Sequence, residues 1–244
     1  MVKIVLGIFI SLILLGCGGS TSMDSVVPTA KSGKTAELEY GDVGIVSEFK
    51  FKDIMSGTYK DLSGTSGFIS HSGTRTLDIT TKIDKSWTIS VRSEKKGYKI
   101  PIKLNIDIDI DKPYVATIKD GKKTIGAILL EVQDNVDKKG ALLKTIGLGT
   151  VTNNNIRFKD SKANILGVNY TIKSVYKDNK GEVSSNPIAY EVLKGKTTYG
   201  VVSVGKNAFG GRTMTIWLKD NLSKTQEQSV ATILTIVGYS SLSL

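Results

Sequence analysis

The chain has 244 residues, of which 40% are hydrophobic and 23% are charged. That length predicts one domain of ordinary size or two small ones, and that composition excludes a disordered chain and a coiled coil. A single Cys excludes an internal disulfide, and a single His excludes a metal site built from several histidines. Lys and Arg number 33 and Asp and Glu number 23, so the formal charge is +10 and an anionic partner is allowed.

The amino terminus has the pattern of a secretion signal. Lys3 precedes an almost unbroken apolar run from Ile4 to Leu15, which Gly16 and Cys17 follow. A membrane-spanning helix needs roughly twenty apolar residues, so this run is short for a permanent span and long enough for a signal peptide.

The residues Leu14-Leu15-Gly16-Cys17 resemble the lipobox of bacterial lipoproteins. The resemblance implies that the signal is cut before Cys17 and that this residue is acylated on its sulfur and on its new amino group. A chance Cys after an ordinary signal peptide and an uncleaved anchor are the alternatives. Gly18, rather than Asp, implies the outer membrane in a Gram-negative source, whereas a Gram-positive source would place the lipid on the outer face of the cytoplasmic membrane. The expected localisation is the cell envelope.

Three regions follow from this reading. Residues 1–16 are predicted to be a signal peptide, residues 17–35 the lipidated Cys with a flexible tether of small and polar residues, and residues 36–244 a single β-rich domain with a C-terminal helix. Removing the signal takes away Lys3 and no acid, so 32 basic residues remain against 23 acids and the mature charge is +9.

Beyond the tether, apolar and polar residues alternate, as expected for strands with one buried and one wet face. The alternation is clear at Trp87, Ile89 and Val91 and is longest from Tyr98 to Ile110. Short turn signals separate the runs, so neighbouring strands should pair antiparallel. We predict a mainly β fold, an antiparallel barrel or curled sheet of about 11–12 strands, and no Rossmann or TIM architecture.

The C-terminus is predicted to be an apolar helix. Ser223, with Gln226 three residues later, fits a capping box, and no charged residue occurs from Ser229 to the end of the chain. A helix without a charged face should be buried on most sides, and the barrel could enclose it. A final strand is the alternative, because the segment is rich in Val, Ile and Thr.

Many strands followed by one apolar helix suggest a sheet curled around that helix. Two segments resemble the tubby/phospholipid-scramblase/LURP-one group: the strand–turn–strand from Val115 to Gly126, and the tail from Tyr199 through Trp217-Leu-Lys-Asp220 into the helix. The resemblance covers about half the chain and implies a closed twelve-stranded barrel threaded by a hydrophobic C-terminal helix. It implies fold more than function, because one fold hosts many activities. A generic β-sandwich and an open barrel ending in a helix are the alternatives.

No catalytic residue, cofactor or firm metal site is predicted. His71 lies in a Gly- and Ser-rich turn with no acid nearby in the sequence. Asp107, Asp109 and Asp111 form a carboxylate ladder that would bind calcium only with ligands from a second strand, and a solvated strand face paired with Lys is the alternative. A hydrolase would have to use Asp107, Asp109 and Glu131, which no spacing selects.

The surplus of lysine at turns is the remaining signal. Turn lysines favour solubility, and near an anionic surface they also favour binding. The candidate residues for such a surface are Lys95, Lys96, Lys122, Lys123, Lys138 and Lys139. Only four Arg occur, so bidentate phosphate recognition is not favoured.

The expected function is a membrane-anchored, non-catalytic binding domain for an anionic lipid headgroup, a glycan or an envelope protein. The membrane is a partner through the N-terminal lipid, and secretion argues against nucleic acid. A structural subunit of an envelope assembly is the main alternative, and an envelope hydrolase using Asp or Glu is the least favoured.

Overall fold

The fold is a closed β-barrel around a single helix. The structure, a computed structural model, describes residues 32–40, 47–61, 76–83, 85–93, 114–133, 157–158, 160–184, 187–206 and 212–243. The elements in these ranges are β1 Gly33–Tyr40, β2 Ser47–Phe51, β3 Met55–Asp61, β4 Thr76–Lys82, β5 Ser86–Ser93, β6 Tyr114–Asp120, β7 Lys123–Leu130, β8 Val132–Gln133, β9 Arg157–Phe158, β10 Ser161–Ile165, β11 Val168–Val175, β12 Ala189–Lys194, β13 Thr197–Lys206, β14 Arg212–Lys219 and α1 Lys224–Ser243.

Twelve of these strands form the barrel, and each pairs antiparallel with both of its neighbours. Their order around the ring is β1-β14-β13-β12-β11-β10-β7-β6-β5-β4-β3-β2. The ring closes where Gly33 of β1 pairs with Lys219 of β14, and β1 also pairs with β2. The short strands β8 and β9 pair with each other and are not members of the ring, so β7 pairs directly with β10. Closure leaves the ring without an edge strand.

On several strands, alternate side chains are buried. On β5, Trp87, Ile89 and Val91 are buried, whereas Thr88 and Arg92 are exposed. This is the alternation that the sequence shows at these positions, and it is the period-two pattern of a strand with one buried face.

Helix α1 begins at the predicted capping box. The backbone N–H of Ser223 donates to Oε1 of Gln226 at 3.0 Å, and the backbone N–H of Gln226 donates to Oγ of Ser223 at 3.3 Å. The two side chains thereby satisfy backbone donors that the first helical turn leaves without intrahelical partners.

The helix lies inside the barrel. Every residue from 228 to 240 is buried, which a helix on the surface could not achieve. On one side Oγ1 of Thr232 lies 3.1 Å from Oγ1 of Thr81 on β4. On another, Gly200 of β13 lies so close to Val230 and Leu234 that an added Cβ would be 2.7 and 2.8 Å from their methyl groups.

The predicted fold class is therefore confirmed: a closed antiparallel barrel of twelve strands with one apolar C-terminal helix inside it. The three alternative predictions are wrong: a sandwich, an open barrel, and a final strand at the C-terminus. The longest alternating run, Tyr98 to Ile110, lies outside the described residues.

Candidate anionic-surface interface

Six short connections lie at one end of the barrel, which we call the hairpin end. In an up-and-down barrel every second connection falls at the same end. Those at the hairpin end join β2 to β3, β4 to β5, β6 to β7, β10 to β11, β12 to β13, and β14 to α1. The start of β1 lies here too, because Gly33 pairs with Lys219 at the end of β14. The chain therefore enters the barrel at the end where its tight turns lie.

The tip between β10 and β11 carries an exposed leucine in an unusual backbone conformation. Leu166 has φ 52° and Gly167 has φ 78°, the pattern of a type I′ hairpin turn. Left-handed backbone suits Gly or Asn and is uncommon for a bulky apolar residue. The Leu166 side chain is nevertheless 47% exposed, and its backbone N–H donates to the carbonyl of Ile125 on β7 at 2.8 Å. A fixed tip thus presents an apolar side chain to the outside.

Lysine dominates the charge of the hairpin end. Within the six connections and one residue on either side, the described acids are Asp53, Asp120 and Asp220. Asp84, which the sequence places in the β4–β5 connection, lies outside the described residues. The nine lysines described in the same positions, all of them exposed, are Lys52, Lys82, Lys85, Lys122, Lys123, Lys194, Lys196, Lys219 and Lys224.

The connection between β11 and β12, at the opposite end, has a balanced charge. Its described residues include Lys177 and Lys180 together with Asp178 and Glu182. Asp178 also accepts hydrogen bonds from the backbone N–H groups of Lys180 and Glu182, at 2.9 and 2.8 Å. The excess of lysine is therefore a property of the hairpin end and not of every turn in the described chain.

Among the described residues, two ion pairs occur at the hairpin end. Nζ of Lys34 lies 2.7 Å from Oε1 of Glu227 and ties β1 to the first turn of α1. Nζ of Lys85 lies 3.9 Å from Oδ2 of Asp120 and joins two neighbouring connections. Within the described chain, the lysines of the β6–β7 and β12–β13 tips form no ion pair.

A tyrosine lies between two of these lysines. Nζ of Lys194 is 5.9 Å from the centre of the Tyr199 ring, and Nζ of Lys219 is 5.5 Å from it. Both distances fall within the range in which an ammonium group is attracted to an aromatic face. Three adjacent strands, β12, β13 and β14, thus place two positive charges and one amphipathic ring side by side.

The Tyr199 ring also meets a buried tyrosine that α1 holds in place. The rings of Tyr170 and Tyr199 contact edge to face, with their centres 6.4 Å apart. Burial raises the pKa of the Tyr170 hydroxyl, interaction with Tyr199 raises it further, and a hydrogen bond with Ser229 of α1 lowers it. Tyr170 therefore stays neutral at physiological pH and supports the site without contributing charge.

The structure describes two of the six lysines predicted from the sequence to contact an anionic surface. Lys122 and Lys123 are exposed at the β6–β7 tip of the hairpin end. The other four, together with the predicted lipid attachment site, lie outside the described residues: Lys95, Lys96, Lys138, Lys139 and Cys17.

The candidate acids are mostly outside the described residues as well. Asp107, Asp109 and Asp111 lie outside them, and so does the single histidine, His71. Glu131 is described, half-buried after β7, and its backbone N–H donates to Oγ of Ser161 at 3.0 Å. Among the described residues no group of three His, Cys, Asp or Glu side chains could hold a metal ion.

Sequence reasoning did not select five of the lysines of the hairpin end, Lys52, Lys82, Lys85, Lys219 and Lys224. Lys52, Lys82, Lys85 and Lys219 are separated in the sequence by up to 167 positions and converge only through the closure of the barrel. The order of the predicted strands could have indicated this surface. In an antiparallel meander every second turn lies at the same end, so lysines in alternate turns should lie together. The sequence did not indicate that Leu166 belongs to a binding surface. A single apolar residue in a turn is common in proteins and points to no function.

No family model, curated protein or solved structure matches the chain. In the described part of the chain no helix has the length and apolar character needed to span a membrane.

Proposed function

We propose that this chain is a lipid-anchored protein of the bacterial cell envelope that binds an anionic partner, without catalysis, through the hairpin end. The observation that carries the proposal is that nine exposed lysines and the start of β1 lie at the same end of the barrel. A lipid on Cys17 would therefore hold the basic end, and not the opposite one, near the envelope surface.

The charge at this end is enough for measurable binding. A Lys close to an anionic surface contributes about 1 kcal/mol, and the contribution falls off within a Debye length of about 10 Å at moderate ionic strength. Several lysines on neighbouring tips act together, because one partner surface reaches all of them at once. Binding of this kind should weaken steeply as salt is added.

A structural role in an envelope assembly is the second candidate. Val183 in the β11–β12 connection is 75% exposed, and it lies at the end opposite the lysines. An apolar side chain at that end would suit contact with another envelope protein while the lipid holds the hairpin end.

The anchor is tested by acylation in cells. We expect the native chain, expressed in a bacterium and fed a fatty-acid analogue, to incorporate the label and to sediment with membranes. Cys17→Ala should remain unlabelled because it lacks the thiol. Equal labelling of the two chains would refute the lipid anchor.

The binding surface is tested on the soluble chain of residues 18–244, which retains the whole barrel and α1. Poly-glutamate is a suitable soluble polyanion, and its binding at low salt should be lost at high salt. The Lys122→Gln/Lys123→Gln variant should bind more weakly, whereas Lys177→Gln/Lys180→Gln removes the same charge at the opposite end and should bind as the parent does. Absence of binding at low salt, or equal weakening of both variants, would contradict the proposal.

A further inference from the structure

We propose that the anionic partner is the surface of the bilayer that carries the lipid anchor, and that the barrel stands on this bilayer with its hairpin end down. The proposal rests on the proposed function and adds to it the partner and the orientation. Helix α1 would then begin near the membrane and run away from it.

The tether that the sequence predicts would bring the hairpin end to the bilayer before any contact forms. From Cys17 to Ser32 the chain advances 15 positions, and the described structure begins at Ser32, next to β1. A flexible segment of that length has a root-mean-square reach of about 20 Å. The opposite end is about 20 Å farther away, because β11 is 8 residues long, a strand rises about 3.3 Å per residue and barrel strands tilt by about 40° from the axis. The hairpin end would therefore meet the bilayer surface more often than the opposite end would.

Leu166 makes this end suited to binding a membrane surface and not only a soluble polyanion. Leu166 and Val183 are the two large hydrophobic residues exposed in the described chain, and only Leu166 is at the hairpin end. An exposed leucine at the tip of a hairpin can enter the boundary between headgroups and acyl chains, where its apolar surface leaves water. A soluble polyanion would offer it no such region.

The cluster of Lys194, Tyr199 and Lys219 fits the same boundary. Tyrosine is enriched at membrane–water interfaces, because its ring is apolar and its hydroxyl is polar. The two lysines beside the Tyr199 ring would meet lipid phosphates at the same depth, with their stems along apolar surface. Leu166 lies in the turn that precedes β11, and β11 is two strands from β13, so both features belong to one side of the rim.

The first experiment measures binding of the soluble chain of residues 18–244 to vesicles. We expect binding to vesicles of phosphatidylcholine with phosphatidylglycerol, and none to vesicles of phosphatidylcholine alone. Lys196→Gln/Lys219→Gln should weaken the partition coefficient about twenty-five-fold, since each Lys contributes about fivefold. Lys177→Gln/Lys180→Gln, with the same loss of charge at the opposite end, should stay within about twofold.

The apolar tip is tested by Leu166→Asn. Asn adopts left-handed backbone readily, so the variant should fold at least as well as the parent. We expect it to bind the anionic vesicles about tenfold more weakly, because the inserted apolar surface is lost. Its binding to poly-glutamate should be unchanged. Val183→Asn is the matched control and should bind the vesicles as the parent does.

Orientation is measured with a dye attached to a single cysteine. The chain of residues 18–244 contains no Cys of its own, so Lys122→Cys and Val183→Cys each create one labelling site, at opposite ends of the barrel. On anionic vesicles, a polarity-sensitive dye at position 122 should shift its emission to the blue and be quenched by labelled lipid. The dye at position 183 should do neither.

The outcomes separate this proposal from the proposed function. Binding to poly-glutamate without binding to anionic vesicles would overturn the orientation on the bilayer and leave the binding function standing. A response of the dye at position 183, or equal loss in the two lysine variants, would also overturn it. Failure of Cys17 to become acylated would remove the anchor without affecting the vesicle measurements.

Discussion

The side-chain hydroxyl oxygens of Thr81 and Thr232 lie 3.1 Å apart, and both side chains are fully buried between the barrel wall and the enclosed helix. The two residues are 151 positions apart, so this hydrogen bond joins β4 to the last element of the chain. Either hydroxyl can donate, and each is a polar partner of the other.

Removal of one of these hydroxyls should destabilise the fold. In Thr232→Val the hydroxyl of Thr81 stays buried without its partner, which costs about 1–3 kcal/mol. The free energy of unfolding, measured by urea denaturation, should fall by this amount.

The double variant Thr81→Val/Thr232→Val is the control for that interpretation. It removes both polar groups and should recover much of the lost stability, because no hydroxyl is then left unsatisfied. Thr81→Val, measured alone, completes the comparison. If the losses of unfolding free energy in Thr81→Val and Thr232→Val simply add in the double variant, the hydrogen bond does not couple the wall to the helix.

The fit of the helix in the barrel depends on Gly200. A Cβ at this position would lie 2.7 Å from Val230 Cγ1, 2.8 Å from Leu234 Cδ1 and 3.0 Å from the carbonyl oxygen of Trp217. Gly200→Ala should therefore force the helix and the wall apart and lower the free energy of unfolding by about 1–3 kcal/mol.

Gly205, on the same strand, provides the matched control. Among the described residues, a Cβ there would meet only Oγ1 of Thr213, at 3.1 Å, and that hydroxyl can move by rotation of its side chain. Gly205→Ala should leave stability nearly unchanged, since Ala also loses less backbone entropy than Gly. Equal losses in the two variants would show that close approach to α1 is not what requires Gly200.

The helix and the alternating strands could be predicted because their signals are local. Ser223 and Gln226 form the capping box at the position that the sequence indicates, and the burial of Trp87, Ile89 and Val91 follows their alternation. Both patterns depend only on residues a few positions apart.

Strand β3 could not be predicted, because Gly57 interrupts the apolar alternation of Met55 and Tyr59 on its inner face. Gly57 faces the ring of Phe49 and the carbonyl of Thr80, so no side chain fits there and the alternation is hidden. The basic hairpin end was missed for a related reason. Its lysines come from separate turns, and only the pairing order of the ring brings them together.

The capping box should contribute measurably to stability even though the helix is enclosed. Ser223→Ala removes the oxygen that accepts from the backbone N–H of Gln226, so about 1 kcal/mol of unfolding free energy should be lost. Ser223→Asn supplies another good N-cap oxygen and should restore most of it. Equal stability of the Ala and Asn variants would show that the cap contributes nothing in this setting.

Alkaline pH should destabilise the protein through its buried tyrosines. Burial is the main cause that raises the pKa of Tyr170 and of Tyr190 above the ordinary value of 10.0. Above about pH 10 the unfolded chain therefore loses these protons while the folded chain keeps them. The stabilisation is complete below that pH and is lost as the pH rises towards the folded-state pKa values.

Urea denaturation between about pH 8 and pH 11 measures the resulting slope. Tyr170→Phe/Tyr190→Phe should be less stable than the parent at neutral pH, because hydrogen bonds of the two hydroxyls, including that between Tyr170 and Ser229, are lost. Its unfolding free energy should nevertheless decline less steeply above about pH 10, since it lacks the two groups that release protons on unfolding. An alkaline slope as steep as that of the parent would mean that these tyrosines do not control the pH dependence.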